Sequence, residues 1–161
     1  MKSEHYCKLE QFMKLAGQER PKTPKIPSRE VRKLRAKLIF EECLETITAL
    51  GFAVITLNER VDGKTVYHPT FIEDEEPNLI EIADGCADIK VIATGTLVAC
   101  GIHDVELQNE VDKNNLTKFG KGHRIREDGK LIKPPNHQPP DIAKILKDQV
   151  YSEEENGRFD S

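Results

Sequence analysis

The sequence lacks the features that would mark a membrane, a nucleic-acid partner or a disulfide framework. Its apolar runs all break well before the roughly 20 residues that a bilayer span needs, and the opening MKSEHYCKLEQ has no apolar signal region. We therefore expect no membrane partner and a cytoplasmic location. A basic excess is missing as well. With 24 Lys and Arg against 28 Asp and Glu, the net charge is −4, which offers none of the positive field that non-specific nucleic-acid binding uses. The four cysteines, Cys7, Cys43, Cys86 and Cys100, form no CxxC pair. They read as small core residues in a reducing compartment, not as zinc ligands or disulfides. There is no GxxxxGK[ST] phosphate loop, no internal repeat beyond two Asp-Gly turns, and no histidine with a glutamate three residues before it, as a di-iron bundle would want.

What is present is a series of well-punctuated helical patterns. The first runs over about 3–16, with Tyr6, Leu9, Phe12 and Met13 on one face and Gly17 as its stop. Pro21, Pro24 and Pro27 then hold a connector extended. Ser28 suits the N-cap of a long helix that Gly51 ends. A second long pattern, LIEIADGCADIKVIATGTLVAC, closes at Gly101, and its Gly85, Gly95 and alanines form a thin surface for close helix packing. A further helix starts at His103 or Asp104 and is expected to stop at Gly120, and Asp141 caps a short last one over IAKILKDQV. Between these, β-branched residues on either side of Asp62-Gly63 predict a small hairpin, with His68 facing solvent, and Asp128-Gly129 predicts a second tight turn. The expected fold is all-α: a bundle of about four to five helices with small hairpin-like excursions. It forms one domain over 1–150, followed by a mobile charged tail at 151–161.

The anomaly lies in the two long helices. At about 100° per residue, Val31, Leu34, Leu38, Glu41 and Glu45 share one stripe, so an apolar seam turns acidic halfway along. Glu42 lies beside it, and Phe40, Leu44 and Ile47 make a second apolar face. The second helix repeats the pattern with Glu81, Asp84 and Asp88 at steps of three and four. Many acids in a chain with 28 of them simply line solvated helix faces. Two acid sets replacing core-facing positions of apolar helices ask for a counter-charge instead, because ionised carboxylates are rarely buried unpaired. Hard oxygen donors suit Mg²⁺ or Mn²⁺, and cations in an acidic groove suit a polyphosphate.

EECLE (Glu41, Glu42, Glu45) followed by EIAD (Glu81, Asp84) resembles the EExxE and ExxD pair of the all-α nucleoside triphosphate pyrophosphatases, the superfamily of MazG and phosphoribosyl-ATP pyrophosphohydrolase. EVDKNNLTKFG resembles the segment after its third core helix. REDGKLIKPPNHQPPDI is similar to the C-terminal signature of the phosphoribosyl-ATP pyrophosphohydrolase-like branch. The resemblance implies hydrolysis of a (d)NTP to a (d)NMP and pyrophosphate in nucleotide-pool control, with dUTP and a purine triphosphate such as dGTP both open. It implies Glu42, Glu45, Glu81, Asp84 and Asp88 as ligands of two or three Mg²⁺ or Mn²⁺ ions, with Asp88 as an additional or supporting acid. It further implies Glu41 or Glu42 as the residue that orients or deprotonates water. Asn115 and Lys118 are implied at the phosphates, and Lys113, Arg126, Lys130 and Lys133 as groups closing over them. A homodimer or homotetramer is also implied, and whether Arg32 or Arg35, on the basic first half of the helix, contributes to an adjoining subunit is left open. The alternatives are a non-enzymatic helical protein with an acidic docking groove, and phosphoribosyl-ATP hydrolysis itself.

Overall fold

Local capping chemistry sets the helix boundaries. The computed structural model describes residues 1–119 and 124–159, with side chains as far as Tyr151. In chain order the elements are α1 (Glu4–Leu15), α2 (Arg29–Ala49), β1 (Phe52–Val61), β2 (Lys64–Glu73), α3 (Leu79–Cys100), α4 (Asp104–Leu116), β3 (Arg124–Ile125), β4 (Leu131–Ile132) and α5 (Ile142–Phe159). Ser3 and Ser28 cap α1 and α2 by accepting the amides of Tyr6 and Val31. Gly17, Gly51 and Gly101 leave their helices at φ 67°, 88° and 68°, the left-handed stop that glycine adopts without penalty. Asp141 accepts the amide of Lys144 at the start of α5. Gly120, the expected stop of α4, lies with 121–123 outside the described residues, and α4 ends at Leu116. Helix α5 runs nine residues beyond the expected Val150, to Phe159, and the tail's last residues, Asp160 and Ser161, also lie outside.

The all-α expectation is overturned: among the described residues, five helices are joined by two antiparallel two-stranded sheets. The larger is no small excursion. Asp62 and Gly63 take φ values of 50° and 75°, the two left-handed positions of a type I′ turn whose twist matches that of the strands it joins. From there the register runs without a break from Val61↔Lys64 to Phe52↔Glu73. The β-branched and aromatic residues in FAVITLNERV and KTVYHPTFIE favour extended backbone throughout, so pairing continues for the full ten residues of each strand. His68 is exposed, as expected, and lies 2.9 Å from Glu59.

The chain divides into two compact units, Met1–Ile26 with Leu97–Ser161, and Pro27–Thr96. The first holds the buried apolar side chains found among the described residues, Tyr6, Met13, Val98 and Ala99. Tyr6 packs edge-on against His103, with ring centroids 5.9 Å apart. Gln149 of α5 clamps the His103 backbone, accepting its N–H at 2.9 Å and donating to its carbonyl at 3.0 Å. Ser3 donates its backbone N–H and its hydroxyl to Asp104, which ties α1 to the start of α4. Of the cysteines expected in the core, Cys7 and Cys86 are exposed, and all four are free thiols. Among the described residues no single helix is long and apolar enough to cross a membrane.

The proline connector runs back along the end of α3, where the Lys25 amide donates to the Cys100 carbonyl at 2.9 Å. A Cβ on Gly101 would lie 2.3 Å from the Thr23 carbonyl oxygen and 2.8 Å from that of Pro21. Both a left-handed φ and a backbone wall therefore require glycine at this position. Gly101→Ala should cost at least about 2 kcal/mol, roughly 4–8 °C in Tm at this length, measured by thermal unfolding. A change within 1 °C, read against that same scale, would contradict the close approach.

Candidate functional site: an acidic helix pair

The second unit is built on two glycines of α3. A Cβ on Gly85 would fall 2.4 Å from the Thr46 hydroxyl, and one on Gly95 would fall 3.1 Å from Nη1 of Arg35. Thr46 and Arg35 are thus laid directly on the α3 backbone, and both are buried, each 7% exposed. Thr46 meets the earlier glycine and Arg35 the later one, so the helices run antiparallel. Between the two contact points lie Glu42 on α2 and Asp88 on α3. The Thr46 hydroxyl donates to the Glu42 carbonyl at 2.7 Å, which leaves it no role as a donor toward the carboxylates.

The inner face of α2 therefore follows Arg35, Glu42 and Thr46. It is not the expected stripe of Val31, Leu34, Leu38, Glu41 and Glu45. Arg35 spans seven residues to Glu42, two helical turns, so the two share a face. Glu41 turns toward Lys37, whose Nζ lies 3.3 Å away in an i,i+4 pair, and Glu45 is exposed. Leu34 and Phe40 are 42% and 64% exposed. Arg35, read from sequence as a subunit-contact candidate, is instead packed inside this unit.

The electrostatics record the convergence of the acids. Partial desolvation raises the pKa of the Glu42 carboxyl, and the nearby charges of Glu45, Asp88, Glu41 and Asp84 raise it further. Five of the acids singled out by sequence thus share one field. Glu81 is related to this group through Glu45. Glu45 and Glu81 line a cleft of about 410 Å³ together with Leu44, Thr48, Glu75, Glu76 and Asn78. Glu75 and Glu76 were missed as site residues, although the run IEDEEPN was the available signal. They reach the cleft because the hairpin returns to the end of α2, where Asp74 donates its amide to the Gly51 carbonyl and Asn78 donates its amide to that of Ala49. The Asn78 side chain then accepts the amides of Ile80 and Glu81. This cap sets Glu81 in the first turn of α3, where the helix dipole favours a negative charge.

Among the described residues no three Asp, Glu, His or Cys side chains converge closely enough to hold a metal ion. The donor set itself is uniform: Glu41, Glu42, Glu45, Glu81, Asp84 and Asp88 offer only carboxylate oxygens, the chemistry that hard divalent cations take. The residues implied at the phosphates belong to the other unit. There Lys118 donates to Asn115 Oδ1 at 2.6 Å, so these two do come together. Lys113 is exposed near the end of α4. Arg126 is paired with Asp128 at 2.9 Å, and Lys130 closes the same turn through its backbone. Lys133 is exposed just past β4.

Residues 8–115 match the family model for phosphoribosyl-ATP pyrophosphohydrolase. A search of curated proteins returned no match. The matched span contains all six acids and ends on Asn115. Lys118, Arg126, Lys130 and Lys133 lie beyond it.

A carboxyl whose pKa is higher in the folded than in the unfolded chain holds its proton more tightly when folded. Its charge then destabilises the fold above the folded pKa, and that cost disappears below the unfolded one. Glu42→Gln should accordingly raise Tm at pH 7.5, and the gain should shrink as pH falls through the carboxylate range. Thermal melts of both chains across pH check this; an unchanged or lowered Tm at pH 7.5 would show that the acids do not repel one another as placed.

Proposed function

We propose, from the premise that the chain belongs to the phosphoribosyl-ATP pyrophosphohydrolase family, within the MazG-like nucleoside triphosphate pyrophosphatase superfamily, that it hydrolyses the α–β phosphoric anhydride of a nucleoside triphosphate. The products are a monophosphate and pyrophosphate. The observation that carries this reading is Glu42, whose pKa is raised by the nearby charges of Glu45, Asp88, Glu41 and Asp84, with Glu81 sharing the adjoining cleft with Glu45, all inside the matched span.

Glu42, Glu45, Glu81, Asp84 and Asp88, which form no ready ligand cluster as placed, would have to close together to hold Mg²⁺ or Mn²⁺, two or three ions in the set. Bound there, the cations neutralise phosphate charge and make water a stronger acid. The chain's own contribution is to position water and receive its proton. Glu42, whose carboxyl already holds protons more tightly than an ordinary glutamate, suits that role, and Glu41 beside it is the other candidate. A (d)NTP such as dUTP or dGTP is one substrate class, in nucleotide-pool control. The family match favours phosphoribosyl-ATP as the second, and both present the same triphosphate chemistry. Assembly as a homodimer or homotetramer is supported by the helix faces left open in this unit, where Phe40, Leu79 and Ile80 are 64%, 80% and 79% exposed.

Pyrophosphate release should be measured from a panel of dNTPs, NTPs and phosphoribosyl-ATP with Mg²⁺ or Mn²⁺. At least one should be cleaved, and Glu42→Gln should lower kcat about 10²- to 10⁴-fold. If nothing on the panel is cleaved, the hydrolase reading fails. Calorimetry then separates the docking-groove alternative, which predicts no nucleotide-enhanced Mn²⁺ binding. If cleavage occurs but Glu42→Gln leaves the rate unchanged, the assignment of Glu42 fails.

A further inference from the structure

The two edges of the long hairpin are not equivalent. Val61 and Lys64 flank the two-residue turn, so they form a hydrogen-bonded pair, and such pairs recur at every second position. Pro69 faces Thr56 in the register, five positions along from Val61↔Lys64, and so falls on a pair whose backbone groups point away from the hairpin. The outward row of β2 therefore lacks a donor at its middle. That strand also carries Lys64, His68 and Glu73. Proline and charge are the usual devices that keep an exposed edge from pairing with another chain.

Strand β1 has none of these devices over most of its length. From Phe52 to Asn58 it carries no charge and no proline, and its outward row, which includes Val54, Thr56 and Asn58, has every donor and acceptor. Residues 55–61 are exposed, Ile55 by 54% and Leu57 by 69%. A two-stranded sheet without further cover is marginal in water, yet this one runs ten residues per strand.

We infer that β1 pairs edge to edge, antiparallel, with β1 of a second copy of this chain, giving the four-stranded order β2-β1-β1-β2. Self-pairing about a two-fold axis at Thr56 overlaps the strand from Phe52 to Arg60. It sets Thr56 against the second copy's Thr56, Val54 against Asn58, and Ile55 against Leu57 on the same face. Apolar and Thr–Thr cross-strand pairs of this kind stabilise sheets. The two charges, Glu59 and Arg60, fall opposite Ala53 and Phe52, so no like charges meet. Moving the axis to Leu57 would set Ile55 against Glu59 instead. The contact involves the hairpin edge alone and does not depend on the hydrolase reading.

In this register the Thr56 Cα atoms form a hydrogen-bonded pair about 5.5 Å apart, within the span of a disulfide. In a full-length chain with its four native cysteines changed to alanine, Thr56→Cys should form a cross-linked dimer on mild oxidation, and Lys64→Cys should not. By hydrogen exchange on the unsubstituted chain, the amides of Val54, Thr56 and Asn58 should exchange roughly tenfold or more slower than those of Thr65 and Tyr67, the matching outward row of β2. Thr56→Pro removes no bond inside the hairpin and should abolish the protection at Val54 and Asn58. The inference is overturned if Thr56→Cys cross-links no better than Lys64→Cys. It is equally overturned if both outward rows exchange alike, or if Thr56→Pro leaves the protection in place.

Discussion

The close approach of α2 to α3 is the constraint from which the acidic site follows. A methyl group at Gly85 would overlap the Thr46 hydroxyl, and one at Gly95 would press on the Arg35 guanidinium. With hydrogen there instead, the two helix backbones come near enough that Glu42 feels Asp84 and Asp88 as well as its own neighbours Glu41 and Glu45. The glycines cost helix propensity, up to about 1 kcal/mol each relative to alanine. The carboxylates they bring together repel one another. Packing in this unit thus holds together charges that would otherwise separate, as expected where function and stability pull apart.

The hairpin takes part in the same construction. A turn directly from α2 into α3 would need only a few residues; here the chain goes out along β1, returns along β2, and is fastened again at the point of departure. Gly51 leaves no room for a side chain, since a Cβ would lie 2.7 Å from the Glu75 carbonyl, and the amides of Asp74 and Asn78 bond back to Gly51 and Ala49. The fastening brings Glu75 and Glu76 to the cleft that Glu45 and Glu81 share. It also lets Asn78 fix the first turn of α3. The hairpin therefore shapes one wall of the candidate site and leaves its helix pair intact.

Local chemistry was legible in the sequence wherever a single residue type answers a single backbone need. Ser28, Gly51, Gly101, Asp141 and the two Asp-Gly turns stand where they were read, and the thin surface at Gly85 and Gly95 is the seam on which α2 packs. The acid sets were legible as an anomaly because they break an apolar period. Orientation about the helix axis was not. Periodicity placed Leu34 and Leu38 inward with Glu41 and Glu45, yet the buried positions are Arg35 and Thr46. The reason is tertiary: Gly95 on α3 leaves room for the Arg35 guanidinium and Gly85 leaves room for Thr46, so these two side chains lie against the α3 backbone. The hairpin's extent was also underread. A run of β-branched residues marks extended backbone, but only the unbroken register shows that pairing continues for ten residues.

The first unit buries Tyr6, Met13, Val98 and Ala99, while the second, among the described residues, buries Pro27, Arg35, Thr46 and Thr94 beside its packed glycines. Several of its apolar side chains, among them Phe40, Ile55, Leu57, Phe71, Leu79 and Ile80, are more than half exposed. At about 25 cal/mol per Å², covering such side chains is the main favourable term available to a unit that also has to hold six carboxylates on one helix pair. Polar and glycine contacts set the geometry of the seam but contribute little apolar burial. The proposed assembly through helix faces and through the β1 edge supplies burial where the single chain has least of it. Acid repulsion at the seam and exposed apolar surface on its outside are thus two aspects of one design, in which the inner helix face is given over to charge.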